Sequence, residues 1–101
     1  MTYDLEFHVE ALKEWQKLDH TIQSQFKKQL ATRLANPHIP SARLHGSGMA
    51  NTYKIKLRDL GYRLVYQVQD SRLTVLVLSV GKRDKSLAYR AATLRSPKRP
   101  R

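Results

Sequence analysis

The sequence predicts an α+β domain: an N-terminal strand, a helical hairpin packed on a small, mainly antiparallel four-stranded sheet, and a C-terminal helix. Three observations predict this class. Apolar and polar residues alternate over residues 3–7 and again over 52–69, as strands require. Apolar residues recur at helical spacing over 9–36 and 84–95. With 101 residues, 41% of them hydrophobic, the chain is expected to form one domain over residues 1–95.

A strand and a helix are predicted within the first 18 residues. Residues 3–7 alternate apolar side chains with two acids, which is typical of a strand with one solvent-facing side. Residues 9–18 then show helical spacing, with acids early and lysines late, as the helix dipole prefers. The residues expected on the apolar face are Ala11, Leu12, Trp15 and Leu18. The residues expected outside are Lys13, Glu14 and Lys17.

A second helix is predicted to begin at Thr21 and to end at Asn36-Pro37. Apolar residues spaced four apart form its buried stripe: Ile22, Phe26, Leu30 and Leu34. The short turn between the two helices implies a hairpin that covers one face of the sheet. Residues 37–51 contain prolines, glycines and small polar residues and are therefore predicted to be a loop, with Leu44 as its apolar anchor.

Three further strands are predicted, over residues 52–58, 61–69 and 72–80, with tight turns between them. The last of these strands, LTVLVLSV, is apolar on both faces, which indicates a central position with cover on both sides. The second cover is predicted to be a helix over residues 84–95, with Asp84 as its cap. The basic segment 96–101 has no apolar residue and is expected to be a disordered tail.

The charge is large and unevenly distributed. The chain has 19 Lys and Arg against 8 Asp and Glu, a formal net charge of +11 at pH 7. From residue 20 onward only Asp59, Asp70 and Asp84 oppose the basic residues. Such a field attracts polyanions and speeds encounter with them. The composition therefore indicates a nucleic acid or an acidic protein as partner, with a basic surface that carries no site as the alternative.

Cations are concentrated on one face of the predicted sheet. Lys54 and Lys56 are two residues apart on one strand, hence about 7 Å apart on the same face. Arg63, on the adjoining strand, can stand beside them. Arg83 follows the last strand, and Tyr89 is expected one to two turns into the terminal helix. If that helix packs over the same face, all five residues converge.

Such a cluster suits phosphodiester cleavage. Negative charge accumulates on the phosphoryl oxygens and the leaving group, and preplaced cations stabilise that transition state. Crowded ammonium groups also lower one another's pKa, so that one lysine can accept a proton near neutral pH. The residues alone leave the alternatives open: the cations can be solvated charges on an exposed strand, and Tyr89 can belong to the core.

Several other classes of chemistry are not indicated. The four histidines show no metal-ligand spacing, and the chain has no cysteine for a disulfide or a thiolate metal site. It has neither a glycine-rich phosphate loop nor an 18-residue apolar run for a membrane span. The N-terminus lacks the features of a signal peptide. We therefore expect a cytoplasmic protein that needs no metal or other cofactor and binds no membrane.

Four segments carry a family resemblance: ALKEWQKL (11–18), Leu44-His45-Gly46, YKIKLRDLGYRLVYQV (53–68) and SVGKRDKS.AY (79–89, with Leu87 at the dot). In order and spacing they resemble the RelE family of toxin–antitoxin ribonucleases, from Tyr3 to about Tyr89. The resemblance implies the fold predicted above and an mRNA endonuclease that acts in the ribosomal A site. It also implies neutralisation by a RelB-like antitoxin protein.

The resemblance further implies roles for the five residues already grouped. In the implied mechanism the mRNA 2′-hydroxyl attacks the adjacent phosphate and leaves a 2′,3′-cyclic phosphate and a 5′-hydroxyl. Lys54 or Lys56 would be the base, and Arg63 would hold the phosphoryl oxygens. Arg83 would stabilise or protonate the leaving oxygen, and Tyr89 would stack on a nucleobase and orient it.

A second set of residues is expected to contact phosphates of 16S ribosomal RNA: Lys13, Lys17, Lys27, Lys28, Arg33, Arg43 and His45. For the six cations, a solvated helix face is the alternative. His45 stands where RelE-type sequences often have arginine, and the loop around it is slightly longer than the family pattern.

The expected partners are the antitoxin and the ribosome with its A-site mRNA; operator DNA is expected to be reached only indirectly, through the antitoxin. The antitoxin should be acidic or amphipathic, in complement to the charge of +11. Two rival functions are retained. One is a non-nuclease toxin of the related ParE type, which acts on DNA gyrase, and the other is a non-toxic basic nucleic-acid-binding module.

Overall fold

The chain folds in three layers, with a four-stranded sheet between two layers of helix. The computed structural model describes residues 2–46, 49–82 and 87–95. The first part contains β1 (Asp4–Phe7), α1 (Val9–Gln16), α2 (His20–Ala35) and a 3₁₀ turn at Pro40–Ala42. The second contains β2 (Thr52–Leu57), β3 (Tyr62–Gln69), a 3₁₀ turn at Asp70–Arg72 and β4 (Thr74–Lys82), and the third is α3 (Leu87–Arg95). The predicted α+β class is confirmed, whereas the predicted cap Asp84 and the predicted tail 96–101 lie outside the described residues.

The strands lie side by side in the order β1-β4-β3-β2. The β2–β3 and β3–β4 pairs are antiparallel, and β1 pairs with β4 in parallel at one edge. Because β4 has a neighbour on each side, the central position predicted from its apolar residues is confirmed. Its side chains must then be covered on both faces of the sheet, which two separate layers of helix accomplish.

The helical hairpin covers the first face. Phe26 and Leu30 of α2 and Ala11 of α1 are buried in one cluster with sheet residues that include Ile55 and Leu64. Full burial of an apolar side chain of this size contributes about 1.5–3 kcal/mol. This cluster is the main core, and it confirms that the i, i+4 stripe of α2 faces the sheet.

The second face is covered by α3. Val65 of β3 and Leu78 of β4 are completely buried together with Ala92 of α3. Leu44 and Leu76 are partly buried against the same cluster. The sequence-based expectations of a terminal helix over this face and of Leu44 as a loop anchor are therefore both confirmed.

A β-bulge changes which side chains of β4 face the main core. The register shifts opposite the Val65–Tyr66 step of β3, which leaves Leu78 as an extra residue on β4. One extra residue reverses the alternation of side chains along a strand. As a result Val77 before the bulge and Val80 after it lie in the same main core, although they are three residues apart.

Three expectations were wrong in detail. Leu12, expected on the buried face of α1, is 41% exposed, because this short helix contacts the core along the line of Ala11 and Trp15. The helix ends at Gln16 rather than residue 18. The last strand starts at Thr74 rather than residue 72, because a 3₁₀ turn precedes it and Leu73 adopts a left-handed φ of 47°. Among the described residues, no helix is long and apolar enough to cross a membrane.

Candidate active site

The predicted cationic face forms on β2 and β3. The antiparallel register places Lys56 directly opposite Arg63, and Lys54 directly opposite Val65. Residues directly opposed across a ladder project to the same face, with their Cβ atoms about 4.5–5.5 Å apart. The face therefore carries Lys54, Lys56 and Arg63 together, as the alternation predicted, while Tyr53 and Ile55 point into the main core.

The terminal helix packs on this same face. Val65, the cross-strand neighbour of Lys54, is buried against Ala92 of α3. The terminal helix thus packs over the same side of the sheet as the cations, as the predicted convergence requires. Within the cluster, Lys54 and Arg63 are partly buried and Lys56 is exposed.

The cluster changes the proton affinity of Lys56. The positive charge of Lys54 is the largest cause that lowers the pKa of Lys56; desolvation and the charges of Arg63 and Arg58 lower it further. Each neighbouring cation disfavours the protonated form, so a larger fraction of Lys56 is the neutral amine at a given pH. The arrangement supplies a lysine suited to accept a proton, beside guanidinium groups suited to bind a phosphate.

A shallow cavity of about 280 Å³ opens at the end of this cluster. Its lining residues are Lys56, Leu57, Arg58, Tyr62 and Arg63. Arg58 was not among the predicted catalytic residues, although it continues the two-residue spacing of Lys54 and Lys56. Three of its five lining residues are cationic, so the cavity suits an anionic group.

The remaining two predicted catalytic residues are placed only in part. Arg83 lies outside the described residues and is joined in the chain to Lys82, the last residue of β4. Tyr89 belongs to the first turn of α3, the helix that packs on the cationic face. The grouping of Arg83 and Tyr89 with the three strand residues therefore stays a prediction.

The residues predicted to contact ribosomal RNA fall into two groups. The exposed ones are Lys13, Lys17, Lys27, Lys28 and His45. Lys13 pairs with Glu10 at 3.2 Å on the surface of α1. These side chains lie mainly along the outer surfaces of the hairpin, where a large polyanion can reach them.

Arg33 and Arg43 are engaged with the protein itself. Arg33 Nη1 donates to the Tyr66 hydroxyl at 2.9 Å and to the Lys54 carbonyl at 3.2 Å. Arg43 places its guanidinium 6.0 Å from the ring centre of Tyr53. Through Nη1, Arg33 thus connects α2 with β2 and β3. The contact of Arg33 with ribosomal RNA phosphates stays a prediction.

The ion pair between Glu14 and Arg95 was not predicted from the sequence. Glu14, expected to point into solvent, bonds through both carboxylate oxygens to Arg95 at 2.8 and 3.0 Å. The two residues are 81 positions apart, so no local pattern indicates the pair. Among the described residues, no group of three His, Cys, Asp or Glu side chains is placed to hold a metal ion.

Comparison with known proteins identifies the class. The family model described as "ParE toxin of type II toxin-antitoxin system, parDE" matches residues 5–87. The fold and the basic face are thus those of a small toxin of a type II toxin–antitoxin system.

Individual relatives define the family further. "mRNA interferase toxin RelE" of Escherichia coli strain K12 is 50% identical over 95 residues, which cover 94% of this chain and 98% of the relative. A mutant of E. coli RelE solved in the free state superposes with a TM-score of 0.85 at 48% identity, covering 94% of this chain and 98% of that one. RelE in the intact E. coli RelBE toxin–antitoxin complex superposes with a TM-score of 0.78 at 51% identity, covering 82% and 99%. The chain belongs to the RelE family of toxins.

Proposed function

We propose that this toxin is a ribosome-dependent mRNA endoribonuclease that inhibits translation by cleaving mRNA in the ribosomal A site. The observation that carries the proposal is the cross-strand placement of Lys56 and Arg63 on a cationic face beneath α3. In this proposal Lys56 is the base and Arg63 is the phosphate-binding group beside it. The relative at 50% identity that is named an mRNA interferase supports the choice of RNA over other polyanions.

The reaction follows from the groups at hand. The 2′-hydroxyl of the mRNA loses its proton to Lys56 and attacks the adjacent phosphorus, while the bond from phosphorus to the 5′-oxygen breaks. The products are a 2′,3′-cyclic phosphate and a 5′-hydroxyl, so no water is consumed in this step. Lys56 is preferred to Lys54 as the base because its pKa is lowered by Lys54, by desolvation and by two guanidinium groups.

Charge stabilisation is assigned to the arginines. Arg63 binds the phosphoryl oxygens, on which negative charge grows in the transition state. Arg83 stabilises or protonates the leaving 5′-oxygen, and Tyr89 stacks on a nucleobase to orient the phosphate for in-line attack. Lys54 adds positive charge on the same face and keeps the pKa of Lys56 low. The mechanism uses no metal ion or other cofactor.

The exposed cations outside the cluster support the proposed dependence of cleavage on the ribosome. Lys13, Lys17, Lys27, Lys28 and His45 are exposed and would contact 16S ribosomal RNA, with Arg43 beside the loop. Binding through many phosphates positions the enzyme and makes its affinity dependent on salt. The RelB-like antitoxin would neutralise the same field in the cytoplasm, and operator DNA would be reached only through that antitoxin.

The test is to map cleavage in a purified translation system. We expect cuts in ribosome-bound mRNA, little cutting of the same RNA free in solution, and none where the target nucleotide is 2′-deoxy. Cleavage at the 2′-deoxy position would exclude the proposed nucleophile. A non-nuclease toxin of the ParE type, the class named by the family model, would leave mRNA intact and induce DNA damage on expression. If expression without an antitoxin has no effect on growth, the protein is a nucleic-acid-binding module instead.

A further inference from the structure

The ion pair between Glu14 and Arg95 lies at the open edge of β4. The pairing of β1 with β4 ends at Phe7, opposite Val77. Beyond that point Glu14 Oε1 accepts a hydrogen bond from the Val80 N–H at 3.2 Å, and Arg95 Nη1 donates to the Leu78 carbonyl at 3.0 Å. The pair therefore binds backbone groups of β4 where β1 no longer runs beside it.

The same pair connects all three layers. Glu14 comes from α1, Arg95 is the last residue of α3, and the backbone groups belong to the central strand. The Arg95 side chain is 18% exposed and that of Glu14 is 34% exposed, so the contact is partly shielded from solvent. Charge-assisted, bidentate bonds in such surroundings have a defined geometry as well as strength.

Apolar packing holds the last turns of α3 only weakly. Of the side chains described there, Ala92 is fully buried, but it is small, and Leu94 is 88% exposed. The hydrophobic contribution of one buried alanine is modest, because it scales with the apolar area removed from water. Thr93 adds a contact of its hydroxyl with Met49 Sδ at 3.9 Å, and Arg95 adds shorter, charge-assisted bonds to Glu14 and to the Leu78 carbonyl. The bonds of Arg95 therefore contribute to how this end of the helix is docked.

We propose that Glu14 and Arg95 are positioning residues, which dock α3 on the cationic face and thereby align Tyr89 for cleavage. This inference rests on the proposed function, since it assumes that Tyr89 contacts the RNA. Tyr89 lies six residues before Arg95 on the same helix, about 9 Å along its axis at 1.5 Å per residue. A helix released at Arg95 can tilt about Ala92, and a displacement of about 1 Å at a reacting group costs on the order of 10²-fold in rate.

The decisive variant is Glu14→Gln. Glutamine keeps an oxygen for the Val80 N–H but loses the charge that binds Arg95. The fold should therefore be preserved, while the contact of Glu14 and Arg95 that docks α3 (the Glu14–Arg95 clamp) is weakened. Glu6→Gln is the matched control, because it makes the same charge change in another ion pair, with Arg72 at 3.1 Å on the exposed surface. Arg95→Lys is the conservative variant; it keeps the charge but cannot bond the carboxylate and the Leu78 carbonyl with one planar group.

Amide hydrogen exchange measures how firmly the Glu14–Arg95 clamp holds the end of α3, independently of activity. We expect the amides of residues 92–95 to exchange about tenfold faster in Glu14→Gln, with Arg95→Lys in between and Glu6→Gln unchanged. Unchanged exchange in Glu14→Gln would overturn the proposal. Circular dichroism at the assay temperature ensures that every variant compared is folded.

Cleavage on programmed ribosomes then tests positioning. We expect kcat to fall at least about tenfold in Glu14→Gln with KM little changed, and the same substitution to cost less than about twofold when Tyr89→Ala is already present. A full further loss in the double variant would overturn the link to Tyr89. Cleavage by Tyr89→Ala alone at the wild-type rate would instead overturn the proposed role of Tyr89, and the exchange measurement would still decide whether the clamp holds α3.

Discussion

Lys56 of β2 lies directly opposite Arg63 of β3, on the sheet face that α3 covers. The pair brings a lysine with a lowered pKa next to the guanidinium that we propose to bind the phosphate. Because an antiparallel ladder fixes cross-strand neighbours, this geometry is carried by the backbone and does not depend on a flexible loop.

Removing the charge of Lys54 should shift the pH dependence of cleavage. Lys54 is the largest cause of the lowered pKa of Lys56, so Lys54→Gln should raise that pKa. A general base acts when deprotonated, and the rising limb of the pH–rate profile should therefore move to higher pH. Arg58→Gln removes a smaller contribution and should shift the limb less, in the same direction. Single-turnover cleavage on ribosomes measures this; a limb that stays in place in Lys54→Gln would contradict Lys56 as the base.

Arg63→Ala should act on the chemical step. We expect the single-turnover rate to fall about 10²–10³-fold, because a preplaced donor is lost where charge develops in the transition state. Arg63→Lys should recover part of the rate, since it restores the charge without the planar fork. Arg72→Ala, which removes an arginine from the turn before β4, is the matched control and should leave the rate unchanged. An equal loss in ribosome binding and in rate would assign Arg63 to binding alone.

Tyr66→Phe should destabilise the fold. The buried hydroxyl donates to the Pro37 carbonyl at 2.7 Å and accepts from Arg33 at 2.9 Å, so its removal leaves both groups without this partner. We expect the free energy of unfolding in denaturant to fall by about 1–3 kcal/mol. Tyr62→Phe removes a hydroxyl from a partly buried ring and should cost less. Equal losses for the two variants would argue against the Arg33–Tyr66 network as a stabilising contact.

Stability at acid pH should depend on Asp70. Its carboxylate accepts from the Tyr3 hydroxyl at 2.6 Å and pairs with His38 at 3.0 Å, and the hydrogen bond from Tyr3 is the main cause that lowers its pKa below 3.8. A group with a lowered folded-state pKa stabilises the protein above its unfolded pKa, and that contribution is lost as the pH falls through the folded value. The urea midpoint should therefore drop less on acidification in Asp70→Asn than in the wild type. Asp59→Asn is the control with the same charge change, and it should follow the wild-type curve.

The hydrogen bond between Tyr3 and Asp70 should also affect the stability of the protein at alkaline pH. The hydrogen bond to Asp70 raises the pKa of Tyr3 above 10.0, so the contribution of Tyr3 is present below that value and is lost as the pH rises through the folded pKa. Tyr3→Phe should accordingly flatten the loss of stability at high pH. Denaturant midpoints on both sides of about pH 10 measure the effect. A profile of Tyr3→Phe parallel to that of the wild type would show that this bond does not contribute.

Local sequence pattern was sufficient for most of the architecture. Alternation in β2 placed Lys54 and Lys56 on one face, because the side-chain period of a strand is two. The apolar character of both faces of β4 indicated its central position, since each face had to be covered. The four-residue stripe of α2 likewise indicated its buried side. Each of these inferences uses residues close together in the chain.

Contacts between distant residues required the tertiary structure. The bulge at Leu78, which returns Val80 to the main core, depends on how β4 pairs with β3 and leaves no local pattern. The inward donors of Arg33 and the bond of Glu14 to Arg95 follow from which elements meet in space. A charged side chain on a helix carries the same local pattern whether it faces water or a partner 81 residues away. Composition and periodicity therefore determined the strands, the helices and the cationic face. Only the packing of the three layers decided which charged side chains bind the protein itself and which stay exposed.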